Sequence, residues 1–137
     1  MSVRKDERNP GKLELSVLAR RHAVYVIQIT KNEKIFKPEY NSVVTNDLVK
    51  EAKDIYRYIW GANNVLVNSR ETYAIRRRYQ ELAATSCNLL LADVGMARSL
   101  FHLSARRMKY WTSMIIEIRN KTRAWIQSDA KRYAEYR

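Results

Sequence analysis

Residues 45–69 read TNDLVKEAKDIYRYIWGANNVLVNS, and this stretch decides the fold class. Its apolar positions alternate by four and three residues, a spacing typical of a helix that packs against other helices. Thr45 is placed to cap the N-terminus of this helix, and Asp47 suits its first turn. Asn68 closes the segment, and Ser69 can cap a following helix. The predicted seam consists of Leu48, Ala52, Ile55, Ile59, Ala62 and Leu66.

The segment before this helix predicts another helix and a long connection. From Leu13 to Lys31 the chain is rich in helix formers, and buried-type residues recur every three to four positions. Residues 32–44 contain Pro38 and several turn formers, so they predict a loop that its larger apolar side chains pin to the helices. The first seam consists of Leu15, Leu18, Ala19, His22, Val26 and Ile29, and the pinning residues are Ile35, Phe36 and Tyr40.

Two more helices follow. The third is predicted from about Arg70 to about Leu100, with an inner face of Tyr79, Leu82, Ala83, Ser86, Leu90, Val94, Ala97 and Phe101. A break at residues 101–103 leads to Ser104, a suitable cap for the fourth helix. The fourth seam contains Met108, Trp111, Ile115, Ile118, Thr122 and Trp125, so both tryptophans are expected to be core anchors.

Together these patterns predict an all-α, up-and-down four-helix bundle over residues 13–137. Residues 1–12, with Asn9-Pro10-Gly11, predict a flexible leader. The leader lacks the apolar segment of a signal peptide, and no apolar run approaches the ~20 residues that span a bilayer. Because Cys87 is the single cysteine, an internal disulfide is excluded. We therefore expect a cytoplasmic protein without a membrane partner.

The charge balance indicates the class of partner. The chain carries 26 Lys and Arg against 14 Asp and Glu, a formal net charge of +12. Such a strongly basic domain has the electrostatic character of a nucleic-acid-binding protein. The alternatives are a solubilising surface and a patch that binds an acidic protein.

The basic residues cluster most clearly near the C-terminus. Residues 104–137 contain nine Lys and Arg against three acids. The helix-four face opposite the seam carries Lys109, Ser113, Asn120, Arg123, Gln127 and Lys131, with no acid among them; Arg106, Arg107, Arg119, Lys121 and Arg132 flank it. Arg76, Arg77 and Arg78 form a second cluster, and Arg20 and Arg21 a third. Such surfaces attract phosphates without reading bases, although the helix-four face could also be merely solvated.

Catalytic patterns are not found. The sequence has no Gly-rich phosphate loop, no H-E-x-x-H and no paired cysteines, and His22 and His102 lie far apart. Cys87 is expected to be a small core residue rather than a nucleophile. We predict a non-enzymatic protein without cofactor or metal. His22, Asn63 and Asp93 fall on or beside inner faces, where structural hydrogen bonds, a subunit contact or a functional pocket are the alternatives.

Several short motifs resemble the Avd family, the accessory variability determinants of diversity-generating retroelements, from about Leu13 to Arg132. The most distinctive lie in the last helix, where Tyr110-Trp111 is followed by a second tryptophan and Ser128-Asp129. The full set is Ile29-Thr30-Lys31-Asn32, Lys34, Phe36, Leu48-Val49, Ala52, Ile55-Tyr56, Ala62-Asn63, Arg77-Arg78, Gln80, Ala83, Ser104, Arg107, Tyr110-Trp111, Ala124-Trp125-Ile126, Ser128-Asp129 and Arg132.

The resemblance implies a ring-shaped homopentamer of four-helix protomers that has a basic surface and no catalytic centre. Its partners would be the retroelement reverse transcriptase and RNA, DNA or an RNA–cDNA hybrid, during mutagenic copying of template RNA into cDNA. An alternative is the related four-helix protein encoded in ribosomal RNA intervening sequences. Another is a structural bundle that binds an acidic protein.

Large apolar residues off the seams are consistent with self-association, since they often mark subunit interfaces. Those residues are Tyr25, Tyr58, Trp60, Tyr73 and Met96.

Overall fold

The computed structural model describes residues 10–137, and every regular element within that range is helical. Four α-helices span Pro10–Thr30 (α1), Asn46–Asn63 (α2), Arg70–Phe101 (α3) and Ala105–Arg132 (α4). Residues 1–9 of the predicted leader lie outside the described range. The last three residues of the leader, 10–12, belong to α1. The all-helical prediction is confirmed for the described range.

Each helix packs mainly against its neighbours in sequence, and α1 also packs against α4. This cyclic order brings the four apolar seams to one shared core, as expected for an up-and-down bundle. Two short 3₁₀ turns, Pro38–Tyr40 and Ala134–Tyr136, and a π-helical turn, Asn41–Thr45, complete the secondary structure of residues 10–137. Across residues 10–137, no helix combines the length and apolar character required to cross a membrane.

The seam of α2 is confirmed over most of its length, because its first five predicted residues are fully buried. Both ends of the helix differ from the prediction. Thr45 has helical backbone angles (φ −62°, ψ −43°) and makes no capping hydrogen bond, since the π-helical turn already leads into α2. The helix ends at Asn63, so Leu66 lies in the following loop with 78% of its surface exposed, and Asn68 does not close the helix.

The caps of α3 and α4 are confirmed. The Ser69 side chain accepts a hydrogen bond from the backbone N–H of Thr72, whose hydroxyl in turn accepts from the Ser69 N–H. The Ser104 side chain accepts from the backbone N–H of Arg107. Between these helices His102 adopts a left-handed conformation (φ 54°), which stops α3 and turns the chain into α4.

Aromatic side chains fill the core where the α1–α2 loop crosses the bundle. Phe36 is fully buried, with its ring centroid 4.9 Å from that of Phe101 and 6.3 Å from that of Trp111. The ring centroid of Tyr40 lies 5.8 Å from that of Phe101, and Ile35 packs against the same core. The loop is therefore pinned as predicted. Trp111 and Trp125 are buried, which confirms them as core residues of α4.

The inner face of α3 is predicted correctly mainly in its C-terminal half. Leu90, Val94, Ala97 and Phe101 are buried, whereas Tyr79, Leu82 and Ser86 are only half-buried. In the N-terminal half Ala83 is buried as predicted, but four other buried residues were not predicted for the stripe. These are Tyr73, Arg76, Gln80 and Ala84.

Candidate nucleic-acid interface

The strongest basic surface lies on α4. The six side chains predicted to share its solvent face are all exposed, because the seam opposite them is buried against the other helices. None of the six is acidic, so no carboxylate opposes an approaching phosphate at the centre of this face. We call this surface the α4 outer face; it consists of Lys109, Ser113, Asn120, Arg123, Gln127 and Lys131.

The flanking cations differ in how freely they face solvent. Arg106 and Arg132 are exposed, whereas Arg107, Arg119 and Lys121 are half-buried. Arg119 donates a 3.1 Å hydrogen bond to Asn88 on α3, and Lys121 lies 3.9 Å from a carboxylate oxygen of Glu14. An exposed ion pair of that length contributes little. These side chains widen the basic surface beyond the α4 outer face.

The Arg20–Arg21 pair on α1 is also exposed. Both residues line an open groove between α1 and α4, together with Tyr25, Tyr110 and other side chains. Glu117 lines the same groove, so this surface is less uniformly basic than the α4 outer face. It is therefore a secondary candidate for phosphate contacts.

Arg76 does not belong to the predicted nucleic-acid surface, because it is buried with only 4% of its surface exposed. Its Nε and Nη2 donate to the two carboxylate oxygens of Asp129, over 2.6 and 3.0 Å. The guanidinium carbon also lies 5.1 Å from the Trp125 ring centroid and 5.5 Å from that of Tyr133. Gln80 donates a further 2.7 Å hydrogen bond to Asp129. Arg76 therefore makes its contacts inside the bundle.

Helical geometry explains why the three consecutive arginines separate. Successive residues point about 100° apart around a helix, so one of three can face the core while another faces solvent. Arg77 is half-buried and reaches Glu81 and the Tyr73 hydroxyl, both over 3.3 Å. Arg78 is exposed. Of the three arginines, Arg78 is therefore the most accessible to an external phosphate.

The polar residues predicted near the core take part in internal interactions. His22 is fully buried, and its Nε2 accepts a 3.2 Å hydrogen bond from the Trp111 indole N–H. Burial lowers the pKa of His22 to about 4, so the imidazole is neutral at physiological pH. Asn63 donates a 2.6 Å hydrogen bond to Ser16. Both observations agree with a structural role.

Asp93 is half-buried on α3 and interacts with Glu51 on α2. Burial, reinforced by hydrogen bonding and repulsion from Asp93, raises the pKa of Glu51 to about 8. A protonated Glu51 can donate to the Asp93 carboxylate, so this pair presents less negative charge than its composition implies.

Cys87 is fully buried in the core cluster, as predicted. Burial raises the pKa of its thiol to about 12, so the nucleophilic thiolate is strongly disfavoured.

A further basic surface, on α2, was not predicted. Lys53, Arg57 and Trp60 are exposed and recur at four- and three-residue spacing on the side opposite the α2 seam. This spacing is the feature of the sequence that could have revealed the surface. Acidic residues between the cations of α2 conceal it. Asp54, the acid nearest this stripe in sequence, is paired with Lys50 over 2.7 Å.

Comparison with protein-family models, curated proteins and solved structures finds no match for this chain.

Proposed function

We propose that this protein is a non-catalytic accessory subunit that binds RNA or DNA through its phosphates. The observation that carries the proposal is the α4 outer face, where exposed cations and hydrogen-bonding side chains occur without an acid. Lysine and arginine neutralise phosphates, and serine, asparagine and glutamine can donate to phosphate oxygens. Such contacts position a strand without reading its sequence.

The identity of the larger assembly is proposed from the resemblance to the Avd family. On that basis the partner is a retroelement reverse transcriptase, and the nucleic acid is template RNA, its cDNA or their hybrid. We expect a reverse transcriptase gene and a template/variable repeat pair beside the gene for this protein. A position within a ribosomal RNA intervening sequence would instead favour the related four-helix family.

We further propose a ring-shaped homopentamer, for which α3 offers a suitable contact surface. Besides its buried seam, α3 has a second stripe on its outer side, at three- and four-residue spacing from Leu82 to Met96, with Ile75 seven residues before it. Leu89 and Met96 are more than half exposed there, and the small Ala92 between them allows close helix packing. The stripe, which we call the α3 outer stripe, contains Ile75, Leu82, Thr85, Leu89, Ala92 and Met96.

The residues first expected at the interface divide into three groups. Met96 is exposed within the α3 outer stripe, Trp60 is exposed on α2, away from that stripe, and Tyr25 and Tyr58 are half-buried. Tyr73 is buried within its own protomer, with 6% of its surface exposed, so it is withdrawn from the predicted interface. A ring built through the α3 outer stripe would repeat the α4 outer face around the assembly and increase avidity.

We expect Leu89→Glu combined with Met96→Glu to dissociate the oligomer, because the substitutions place charges in the α3 outer stripe. Light scattering at micromolar concentration should give about five protomer masses for the wild type and one for the double variant. Val43→Glu, at a position in the π-helical turn that is 62% exposed, is the control and should keep the wild-type mass. A monomeric wild type would contradict the proposed ring.

Replacing Arg123 and Lys131 together by alanine should weaken binding to unrelated RNAs by similar factors. Both side chains are exposed opposite the α4 seam, so fold and assembly should persist. Removing two phosphate contacts should reduce the slope of log affinity against log salt by about 2. The measurement is a salt titration on two RNAs of different sequence.

The matched control for this charge change is Lys34→Ala with Lys37→Ala, two exposed lysines in the α1–α2 loop. If the two double variants behave alike, the α4 outer face has no special role. If wild-type binding to RNA disappears at physiological salt while a protein partner remains bound, the acidic-protein alternative is favoured.

A further inference from the structure

The exposed surface of α2 has a chemical character that the α4 outer face lacks. Among the three tryptophans, Trp60 is 53% exposed, whereas Trp111 and Trp125 are buried in the core. Trp60 packs against Tyr56 with a centroid distance of 6.3 Å and an interplanar angle of 49°. Lys53 and Arg57 lie on the same side of the helix and are also exposed. An accessible indole therefore lies within one or two helical turns of two cations.

A groove runs beside this indole, between α2 and α3. Its lining includes Arg57, Tyr58, Trp60, Gly61 and Tyr79, and we call it the aromatic groove. Gly61 favours this shape, because a Cβ at that position would lie 3.1 Å from Cε1 of Tyr79 and the ring would have to shift by a few tenths of an ångström. Glycine lets the Tyr79 ring lie directly against the α2 backbone. The groove therefore presents several aromatic side chains at an open surface.

The charges around the aromatic groove also fit an anionic ligand. Asp54 supplies an acidic group to the lining, and the Lys50 ammonium lies 2.7 Å from its carboxylate. Arg57 lines the groove and makes no ion pair with any residue that the structure describes. A ligand that combines a flat apolar surface with negative charge would match both features.

We infer that the aromatic groove stacks an unpaired base of single-stranded nucleic acid on Trp60, while Arg57 and Lys53 contact the adjoining phosphates. Bases within a duplex are stacked on one another and cannot occupy such a groove, so the occupant is a single strand. This inference rests on the proposed function and adds the substrate class. The α4 outer face would bind phosphates of either form, and the aromatic groove would favour the unpaired form.

Trp60 provides its own reporter, because the other two indoles are buried. Titration with a single-stranded oligothymidylate should quench the exposed fraction of tryptophan fluorescence. An oligonucleotide of equal length that carries abasic sites should quench it much less. Trp60→Ala should reduce affinity for the single strand by about 5-fold or more and leave affinity for a duplex unchanged. Trp60→Phe, which keeps a ring, should retain part of the difference between the strand and its abasic form.

Val43→Ala, at another exposed apolar position, is the matched control and should bind like the wild type. Circular dichroism and light scattering of each variant confirm that fold and assembly are unchanged. If Trp60→Ala leaves single-strand affinity unchanged while the Arg123/Lys131 double variant weakens it, the groove inference fails and the proposed function stands. If acrylamide cannot quench Trp60 in the nucleic-acid-free protein, another subunit covers the groove and the inference is overturned. If the wild type binds neither form, the proposed function fails as well.

Discussion

Trp111→Ala should lower the free energy of unfolding by about 3–5 kcal/mol, the range measured for removal of a large buried aromatic side chain. The indole is fully buried, and its ring contacts Phe36 from the α1–α2 loop and Tyr25 from α1. Alanine would leave a cavity where α1, α4 and the loop meet. It would also remove the hydrogen-bond donor to His22. Denaturant unfolding followed by circular dichroism measures the effect.

Two variants separate the causes of this destabilisation. Trp111→Phe preserves much of the aromatic packing but leaves Nε2 of His22 without its donor, so it should cost about 1–3 kcal/mol. Trp60→Ala removes an exposed indole and should change stability far less. A Trp111→Ala protein as stable as Trp60→Ala would refute the assignment of Trp111 as a core anchor.

The sequence predicts the helices well wherever apolar residues form most of the seam. The α2 and α4 seams are continuous in the sequence, and Ser69 and Ser104 mark the starts of α3 and α4. The buried stripe of α3 is different, because its N-terminal half includes Arg76 and Gln80. Because both residues are polar, the sequence pattern assigns them to the solvent face. The predicted buried stripe is therefore displaced toward Tyr79 and Leu82. Their burial depends on Asp129 from another helix, which no local pattern reveals.

Only part of the candidate interface could be predicted from the sequence. The α4 outer face lies opposite a continuous apolar seam, so the helical period alone identifies it. On α2 the cations alternate with Asp47, Glu51 and Asp54, and the net charge of the helix conceals the exposed stripe. In the folded protein Asp54 pairs with Lys50, and Glu51 interacts with Asp93 on α3. Only tertiary structure separates these acids from Lys53, Arg57 and Trp60.

Asp129→Ala should destabilise the protein by about 3–5 kcal/mol, because it leaves the Arg76 guanidinium buried without its carboxylate. Asp129 is 1% exposed and accepts hydrogen bonds from Arg76 and Gln80, so its removal leaves two buried donors without their acceptor. Denaturant unfolding of Asp129→Ala, Arg76→Met and the double variant gives the coupling energy between the two side chains.

The double variant should be more stable than the sum of the single effects predicts, because it removes both charges and leaves neither one buried alone. Strictly additive effects would show that the 2.6 Å contact contributes no coupling between the two residues.

Nucleic-acid affinity provides an independent comparison. Under conditions where it remains folded, Arg76→Met should bind RNA like the wild type, since its guanidinium faces Asp129, Trp125 and Tyr133 rather than solvent. The Arg123/Lys131 double variant should show the opposite behaviour, with stability retained and affinity reduced. This contrast separates the arginine that organises the interior from the cations proposed to bind phosphate.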